Sequence, residues 1–319
     1  MTRLPHLVLT IGDINGVGPE VIVQALHAAE CKSLARYTIV GSRAALESAA
    51  TVCGVPPLSN DISVIEPVEP PRRESGKVSE GAGAFAAARI EHGARMVIAG
   101  EADAIVTAPI CKEAISLAGV PYPGHTEMLA ELGGATPYRM MLAADAFRAV
   151  HVTLHVSMRD ALDAITVDSV TDTIVLAHKG MLQLGIERPR IAVAALNTHA
   201  GEACLFGSEE RDVIVPAIEE AARSGVIAAG GPFPPDTVFS RAYKGEFDVV
   251  VAMYHDQGHI PIKLVAFDRA VNVTLGLPFI RTSVGHGTAF DIAGTGQANP
   301  SSLISAIATA VTMSQHTIK

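Results

Sequence analysis

The chain has 319 residues, of which 49% are hydrophobic, 18% charged and 4% aromatic, with no tryptophan. A core built from Ala, Val, Ile and Leu is available at this length, which excludes disorder, collagen-like repeats and small disulfide scaffolds. The formal net charge of −9 argues against a general nucleic-acid surface but leaves room for a local basic pocket around an anionic substrate.

Cys31, Cys53, Cys111 and Cys204 form no CxxC pair and read as thiols of a reducing compartment. The apolar start is too short for a signal peptide. The longest helix-like apolar run, residues 303–313, is interrupted by Ser305, Thr309 and Thr312 and is too short to span a membrane. The expectation is a soluble cytoplasmic protein with no membrane or nucleic-acid partner.

Short apolar runs alternate with longer helical patterns, the mark of an α/β protein with largely parallel strands. Strands are predicted at 7–11, 37–40, 104–107, 148–153, 190–196 and 248–253. A first helix begins near Pro19, and others cover 83–98, 168–184 and 209–223. A C-terminal helix is capped by Ser301 or Ser302. Residues 54–78 read as a long surface connection and 228–236 as a loop. A domain junction falls near 133–137, although a chain that returns to its first domain satisfies the same pattern.

Three of the twelve histidines, His155, His199 and His255, stand at or just beyond predicted strand ends, where α/β proteins place ligands. Three neutral imidazoles suit a divalent metal and leave a position open for substrate. Asp256 and Asp236 are carboxylates able to orient such ligands. Strand-end histidines also serve as caps and packing residues, and spacings of 44 and 56 positions match no compact zinc motif. The turn IGDINGVGPE places Gly12, Gly16 and Gly18 ahead of a helix, either as an anion site or simply as a tight turn. Its GxxxGxG spacing departs from the GxGxxG dinucleotide fingerprint. His125 and Thr126 precede a helix beginning near Glu127, as an anion or hydroxyl site or with Thr126 as an N-cap. Lys263, Asn272 and Arg281 follow one another at nine-residue spacings and suit a phosphate or carboxylate. HGTAFDIAGTGQANP, residues 286–300, is a Gly-rich loop in which Asp291 can accept from a ribose.

The segments GHTEMLA, LNTHAGE, GPFPPDTVF, MYHDQGHIPIKL, NVTLGLPFIRTS and HGTAFDIAG occur in the order of the 4-hydroxythreonine-4-phosphate dehydrogenase (PdxA) family, which the chain resembles over essentially its whole length. The resemblance implies two α/β domains with a central cleft, of the isocitrate/isopropylmalate dehydrogenase type. The domains expected are 1–135 plus 282–319, associated with NAD, and 136–281, for metal, substrate and dimerisation. His155, His199 and His255 match the family's metal ligands, contributed by both subunits of a homodimer, for zinc, magnesium or cobalt. His125, Thr126, Lys263, Asn272 and Arg281 match its substrate-binding positions. The loop 286–300 is similar to the adenosine-binding loop of isocitrate and isopropylmalate dehydrogenases, so Gly287, Thr288, Asp291, Gly294 and Asn299 are expected to bind NAD.

The implied reaction is metal-dependent oxidation by NAD of a secondary alcohol β to a carboxylate, followed by loss of CO₂. Asp256 and Lys263 are the candidate bases. Ile14 and Asn15 replace the Pro-Ala pair more usual in the first turn, and Gly285 stands where an aspartate is usual. HVTLH, SVGHG and HDQGHIPIKL are similar to the branch acting on a terephthalate cis-dihydrodiol, whereas His125-Thr126, Asn272 and Arg281 form the phosphate-type set. The expected substrate is therefore a phosphorylated four-carbon hydroxy acid, either 4-phosphooxy-L-threonine or the 4-phosphate of threonate or erythronate. An aromatic cis-dihydrodiol carboxylate is the alternative.

Overall fold

The computed structural model describes residues 3–67, 69–226 and 229–317. Internal contacts divide the chain into two compact units: one runs to Thr136 and resumes over Leu277–Thr317, and the other is Pro137–Gly276. Elements are numbered in chain order. In the first unit they are β1 (His6–Thr10), α1 (Gly18–His27), β2 (Arg36–Val40), α2 (Arg43–Cys53), β3 (Ser63–Ile65), α3 (Glu80–Ile98), β4 (Ala104–Thr107), α4 (Lys112–Leu117) and α5 (His125–Leu132). After the chain returns, β11 (Ile280–Val284) and α11 (Ser301–His316) complete it.

The strands of this unit lie in the order β3-β2-β1-β4-β11 and every pair is parallel. Leu7, Val8 and Leu9 of β1 and Ala104, Ile105 and Val106 of β4 are fully buried. Such two-sided burial explains why these strands read as continuous apolar runs rather than alternating ones. Helix α3 starts at the Ser79 cap, whose hydroxyl accepts the Ala82 N–H. Its Ala87, Ile90 and Ala94 pack against Met128 and Leu129 of α5, which seats the start of α5. Because the strands are parallel, the segments following β1, β4 and β11 all leave from one edge of the sheet.

The second unit contains β5 (Arg139–Ala144), β6 (Phe147–His151), α6 (Met158–Ala164), α7 (Val167–Gln183), β7 (Ile191–Ala194), α8 (Val215–Arg223), β8 (Ala229–Phe233), α9 (Pro235–Tyr243), β9 (Val249–Ala252), α10 (His255–Ala266) and β10 (Val271–Leu275). Its strand order is β10-β5-β6-β9-β7-β8; β5 is antiparallel to both β10 and β6, and β6, β9, β7 and β8 run parallel. Leu142, Ala149, Ala192, Val250 and Ile262 form its core together with Val238 and Phe239 of α9. The segments after β6, β9 and β7 therefore share one edge.

Several local expectations are revised. The stretch read as a loop over 228–236 begins at Ala228, outside the described residues, and its remainder forms β8 and the start of α9. Among the described residues β8 pairs only with β7, and an edge strand tolerates the Gly and Pro of AGGPF. The connection over 54–78, of which Val68 lies outside the described residues, carries the short edge strand β3. The helix expected over 209–223 opens with a single π turn, Glu210–Ile214, before continuing as α8. Neither serine caps α11: its N-cap is Pro300, which offers no side-chain acceptor, and Asn299 Oδ1 accepts the Ser301 N–H at 3.0 Å. Among the described residues no helix is long and apolar enough to cross a membrane.

Candidate active site

In the first unit, His125 and Thr126 are the first two residues of α5, behind the Gly124 cap. Thr126 is buried within the opening turn, so it is not the N-cap. The His125 imidazole lies well below its ordinary pKa because it is buried, and the nearby Arg281 and Lys112 cations add to the shift. Its buried Nε2 has no hydrogen-bond partner among the described residues. Arg281 is buried on β11 and donates through Nη2 to Thr107 Oγ1 at 2.9 Å. Burial brings its guanidinium down to about 10, with Glu127 opposing the shift, so it stays charged at neutral pH. A neutral imidazole with an unengaged nitrogen, a guanidinium, an ammonium and the free amides of a helix start together make a pocket for an anion. Sequence reasoning missed Lys112, whose signal is its place at the head of α4, just beyond β4.

The loop over 286–300 leaves the same sheet edge. His286 Nδ1 lies 2.8 Å from Gly287 O. A carbonyl only accepts, so the proton sits on Nδ1; Nε2 is left buried and unpartnered among the described residues. The Gly-rich first turn proves to be the scaffold of this loop. Val17 N–H donates to Thr288 O at 3.0 Å and Asp13 N–H to Pro109 O at 2.9 Å, so those donors face protein rather than a ligand. Glu20, fully buried, accepts from Gly294 N–H (2.6 Å), Gly296 N–H (3.0 Å) and Arg73 Nη2 (3.3 Å). Asn15 accepts the Glu74 N–H and donates to Lys77 O, tying in a further strand of backbone. Of the expected cofactor residues, Thr288, Gly294 and Asn299 thus have groups engaged within the protein. Gly287 and Asp291 are exposed.

In the second unit, His155 follows β6, His255 follows β9 and His199 follows β7, so all three leave one edge of neighbouring parallel strands. The His155 and His255 ring centroids are 5.8 Å apart. Asp256 Oδ1 accepts from His255 Nδ1 at 2.6 Å, which leaves Nε2 as the nitrogen carrying a lone pair. His199 is exposed, in a turn of left-handed backbone (φ 51°). Asp236 is exposed in the first turn of α9, a helix that lies beside that turn. Among the described residues no three His, Cys, Asp or Glu side chains close around a metal position. Two imidazoles on one tetrahedral ion have centroids about 5 Å apart, so the 5.8 Å between His155 and His255 suits two donors to one divalent metal.

Each residue of the run HDQGH has its own place in the imidazole cluster. Gln257 Oε1 accepts the Met253 N–H at 2.7 Å and its Nε2 donates to Ala195 O at 2.8 Å, stapling the end of β9 to the end of β7. Gly258 leaves room for His151, since a β-carbon there would collide with His151 Nε2. His259 packs flat on His255, with centroids 3.8 Å apart and planes at 14°. His151 Nδ1 faces Met140 O at 3.2 Å, and His151 Nε2 faces His259 Nδ1 at 3.0 Å. The carbonyl fixes the tautomers: His151 carries its proton on Nδ1 and accepts at Nε2, so His259 donates from Nδ1. Burial keeps both rings neutral, with His151 down to about 4 and His259 lower still, and the neighbouring histidines reinforce the shift. His151, Gln257 and His259 were not singled out in the sequence. Lys263 extends the His255–His259 face by one further turn, with Nζ 5.9 Å from the Phe267 ring centroid. Asn272 lies on β10 opposite Leu142 of β5.

An anion pocket at one parallel-strand edge and an imidazole cluster at another place the chain among α/β enzymes of small substrates. The family model described as pyridoxal phosphate biosynthetic protein PdxA matches residues 20–310. A 4-hydroxythreonine-4-phosphate dehydrogenase of Desulfosudis oleivorans is 44% identical over 98% of this chain and 96% of its own. A D-threonate 4-phosphate dehydrogenase of Pectobacterium atrosepticum is 43% identical over 93% and 95%. The crystal structure of a 4-hydroxythreonine-4-phosphate dehydrogenase from Klebsiella pneumoniae superposes with a TM-score of 0.87 at 41% identity, covering 98% of this chain and 100% of that one. A terephthalate 1,2-cis-dihydrodiol dehydrogenase from Burkholderia xenovorans is more distant, with a TM-score of 0.69 at 30% identity over 97% and 98%. The chain belongs to the PdxA family and is an oxidoreductase of the dehydrogenase type, acting on a CH–OH group.

Proposed function

We propose that the enzyme oxidises and decarboxylates a phosphorylated four-carbon 3-hydroxy acid, either 4-phosphooxy-L-threonine or the 4-phosphate of threonate or erythronate, using NAD and a divalent metal. The observation that carries this reading is the buried Arg281 guanidinium beside the buried, unengaged Nε2 of His125, with the exposed Lys112 ammonium nearby, a set whose charge suits a phosphate. The names of the relatives at 43–44% identity point the same way. When bound, the metal would polarise the carbinol oxygen and the later ketone, and the nicotinamide would take the hydride.

His155, His199 and His255 would hold the metal. Gly287, Thr288 and Asp291 would meet the cofactor on a loop shaped by Gly294 and Asn299, in the manner of isocitrate dehydrogenases. Arg281 and His125 bind the anionic end and so orient the carbinol. Thr126, Lys263 and Asn272 complete the substrate set, and Asp236 supports the cluster. Asp256 Oδ1 is engaged by His255, leaving Oδ2 to accept the carbinol proton; Lys263 is the other candidate base. Hydride leaves the carbinol carbon, the proton leaves its oxygen, and the β-keto acid loses CO₂ and takes up a proton at carbon.

The active enzyme is read as a homodimer with its site at the subunit interface. Each histidine-bearing segment also presents exposed apolar side chains: Val156 and Met158 after His155, Leu205 and Phe206 after His199, Ile260 and Leu264 after His255. Leu264 is 83% exposed, and apolar side chains gathered on one face suit a partner surface. A second copy would cover this face and bring the missing donor. The second unit then serves metal binding, substrate binding and dimerisation, and the first serves the cofactor. Four free cysteines suit a reducing cytoplasm.

The test is NADH formation by metal-supplemented protein on 4-phosphooxy-threonine, the two sugar-acid phosphates and a carboxylated cis-dihydrodiol. Chelator-sensitive turnover of a phosphate is expected. Turnover of the dihydrodiol alone would make HVTLH and Gly285 the decisive residues and overturn the phosphate assignment.

A further inference from the structure

Residues 199–204 all have positive φ: His199 51°, Ala200 56°, Gly201 78°, Glu202 40°, Ala203 53° and Cys204 71°. Five of these six carry a β-carbon, which left-handed backbone presses against the following carbonyl. Such a run persists only where its surroundings over-determine it. Glu210, buried in the π turn ahead of α8, supplies that constraint. Its Oε1 accepts both the Leu196 N–H (2.9 Å) and the Asn197 N–H (2.7 Å), and its Oε2 accepts from Asn197 Nδ2 (3.0 Å). The same Nδ2 donates to Glu209 Oε2 at 2.6 Å. Gly201 closes against this carboxylate, for a β-carbon there would sit 2.7 Å from Glu210 Oε2. The turn is then sealed by Leu205 N–H to Glu202 O and Phe206 N–H to Gly201 O, both 3.1 Å. The π turn inserts one extra residue into the helix and so places Glu210 under the loop.

We infer that Glu210 is the positioning residue for His199: its carboxylate clamps the amides entering the left-handed turn and so presents the His199 imidazole as a metal donor. The inference rests on the reading of His199 as a donor, whereas the clamp itself stands on geometry alone.

The test uses the full chain with Glu210→Ala, Glu210→Gln, Gly201→Ala and His199→Ala. Zinc or cobalt affinity is measured by chelator competition, and amide exchange is followed on peptides covering 196–206, beside the global urea midpoint. Glu210→Ala and Gly201→Ala should weaken metal binding by about tenfold or more and speed exchange at Leu196 and Asn197. Glu210→Gln keeps an oxygen for both amides and should restore most of each. Wild-type affinity and protection in Glu210→Ala would overturn the inference, as would a lowered midpoint with metal affinity intact. A wild-type chain that binds no metal, or a His199→Ala chain that binds it as well, would instead refute His199 as donor, and the exchange data would still decide the clamp.

Discussion

Replacing Gly258 by Ala sets two effects of opposite sign against each other. Gly258 lies inside α10, where Ala is intrinsically better by about 1 kcal/mol. On propensity alone the variant should be more stable. The new methyl, however, would collide with His151 Nε2 and lie 3.0 Å from Ala149 Cβ. Overpacking of this kind costs roughly 1–3 kcal/mol. Moving His151 also breaks its bond to His259, leaving two buried groups unpaired at about 1–3 kcal/mol in total. The net expectation is a loss of about 1–5 kcal/mol, read as a lower urea midpoint at unchanged m-value. In a His151→Ala background the methyl has space, so the same change should be close to neutral or favourable. Stabilisation by Gly258→Ala in the wild-type background would refute the packing argument for HDQGH.

Three further outcomes are expected. The buried His151 and His259 have folded-state pKa values below their unfolded ones, so between pH 6.5 and about 4 the unfolded chain binds more protons and stability should fall as pH falls; His151→Gln with His259→Leu should flatten that slope in urea titrations at stepped pH, and an unchanged slope would dismiss the pair. Glu20→Ala leaves two buried amides and Arg73 without their carboxylate, and should lower stability by about 3–5 kcal/mol while abolishing any rise in melting temperature with NAD; a retained NAD shift would detach Glu20 from the loop. Arg281→Gln should reduce kcat/KM for phosphorylated substrate by roughly 2–5 kcal/mol with the circular-dichroism spectrum preserved, and a normal rate would remove Arg281 from the site.

The parallel strands β1, β2, β4, β6, β7 and β9 were legible because burial on both faces makes each a compact apolar run. β8 was not, since an edge strand can be written in Gly and Pro. β5 and β11 carry no alternation of their own and acquire strand form through their pairing, whereas VNVTL of β10 does alternate and is a signal the sequence reading passed over. The histidines could be located because they sit at strand ends, a place readable without coordinates. Their supports could not: Glu20 reaches Gly294 across 274 positions, His259 reaches His151 across 108, and Gln257 reaches Ala195 across 62. Glu210 lies only 13 positions from Asn197, yet nothing in LNTHAGE announces a left-handed turn with a single glycine in it.

The most direct test of the central claim is the ratio of kcat/KM for a four-carbon 3-hydroxy acid 4-phosphate to that for the same acid without its phosphate, measured as NADH formation with metal present. A buried guanidinium and imidazole that recognise the phosphate predict a ratio of about 10³ or more, falling steeply in Arg281→Gln. A ratio near one would mean that the His125–Arg281 pocket does not read the phosphate and would contradict the account.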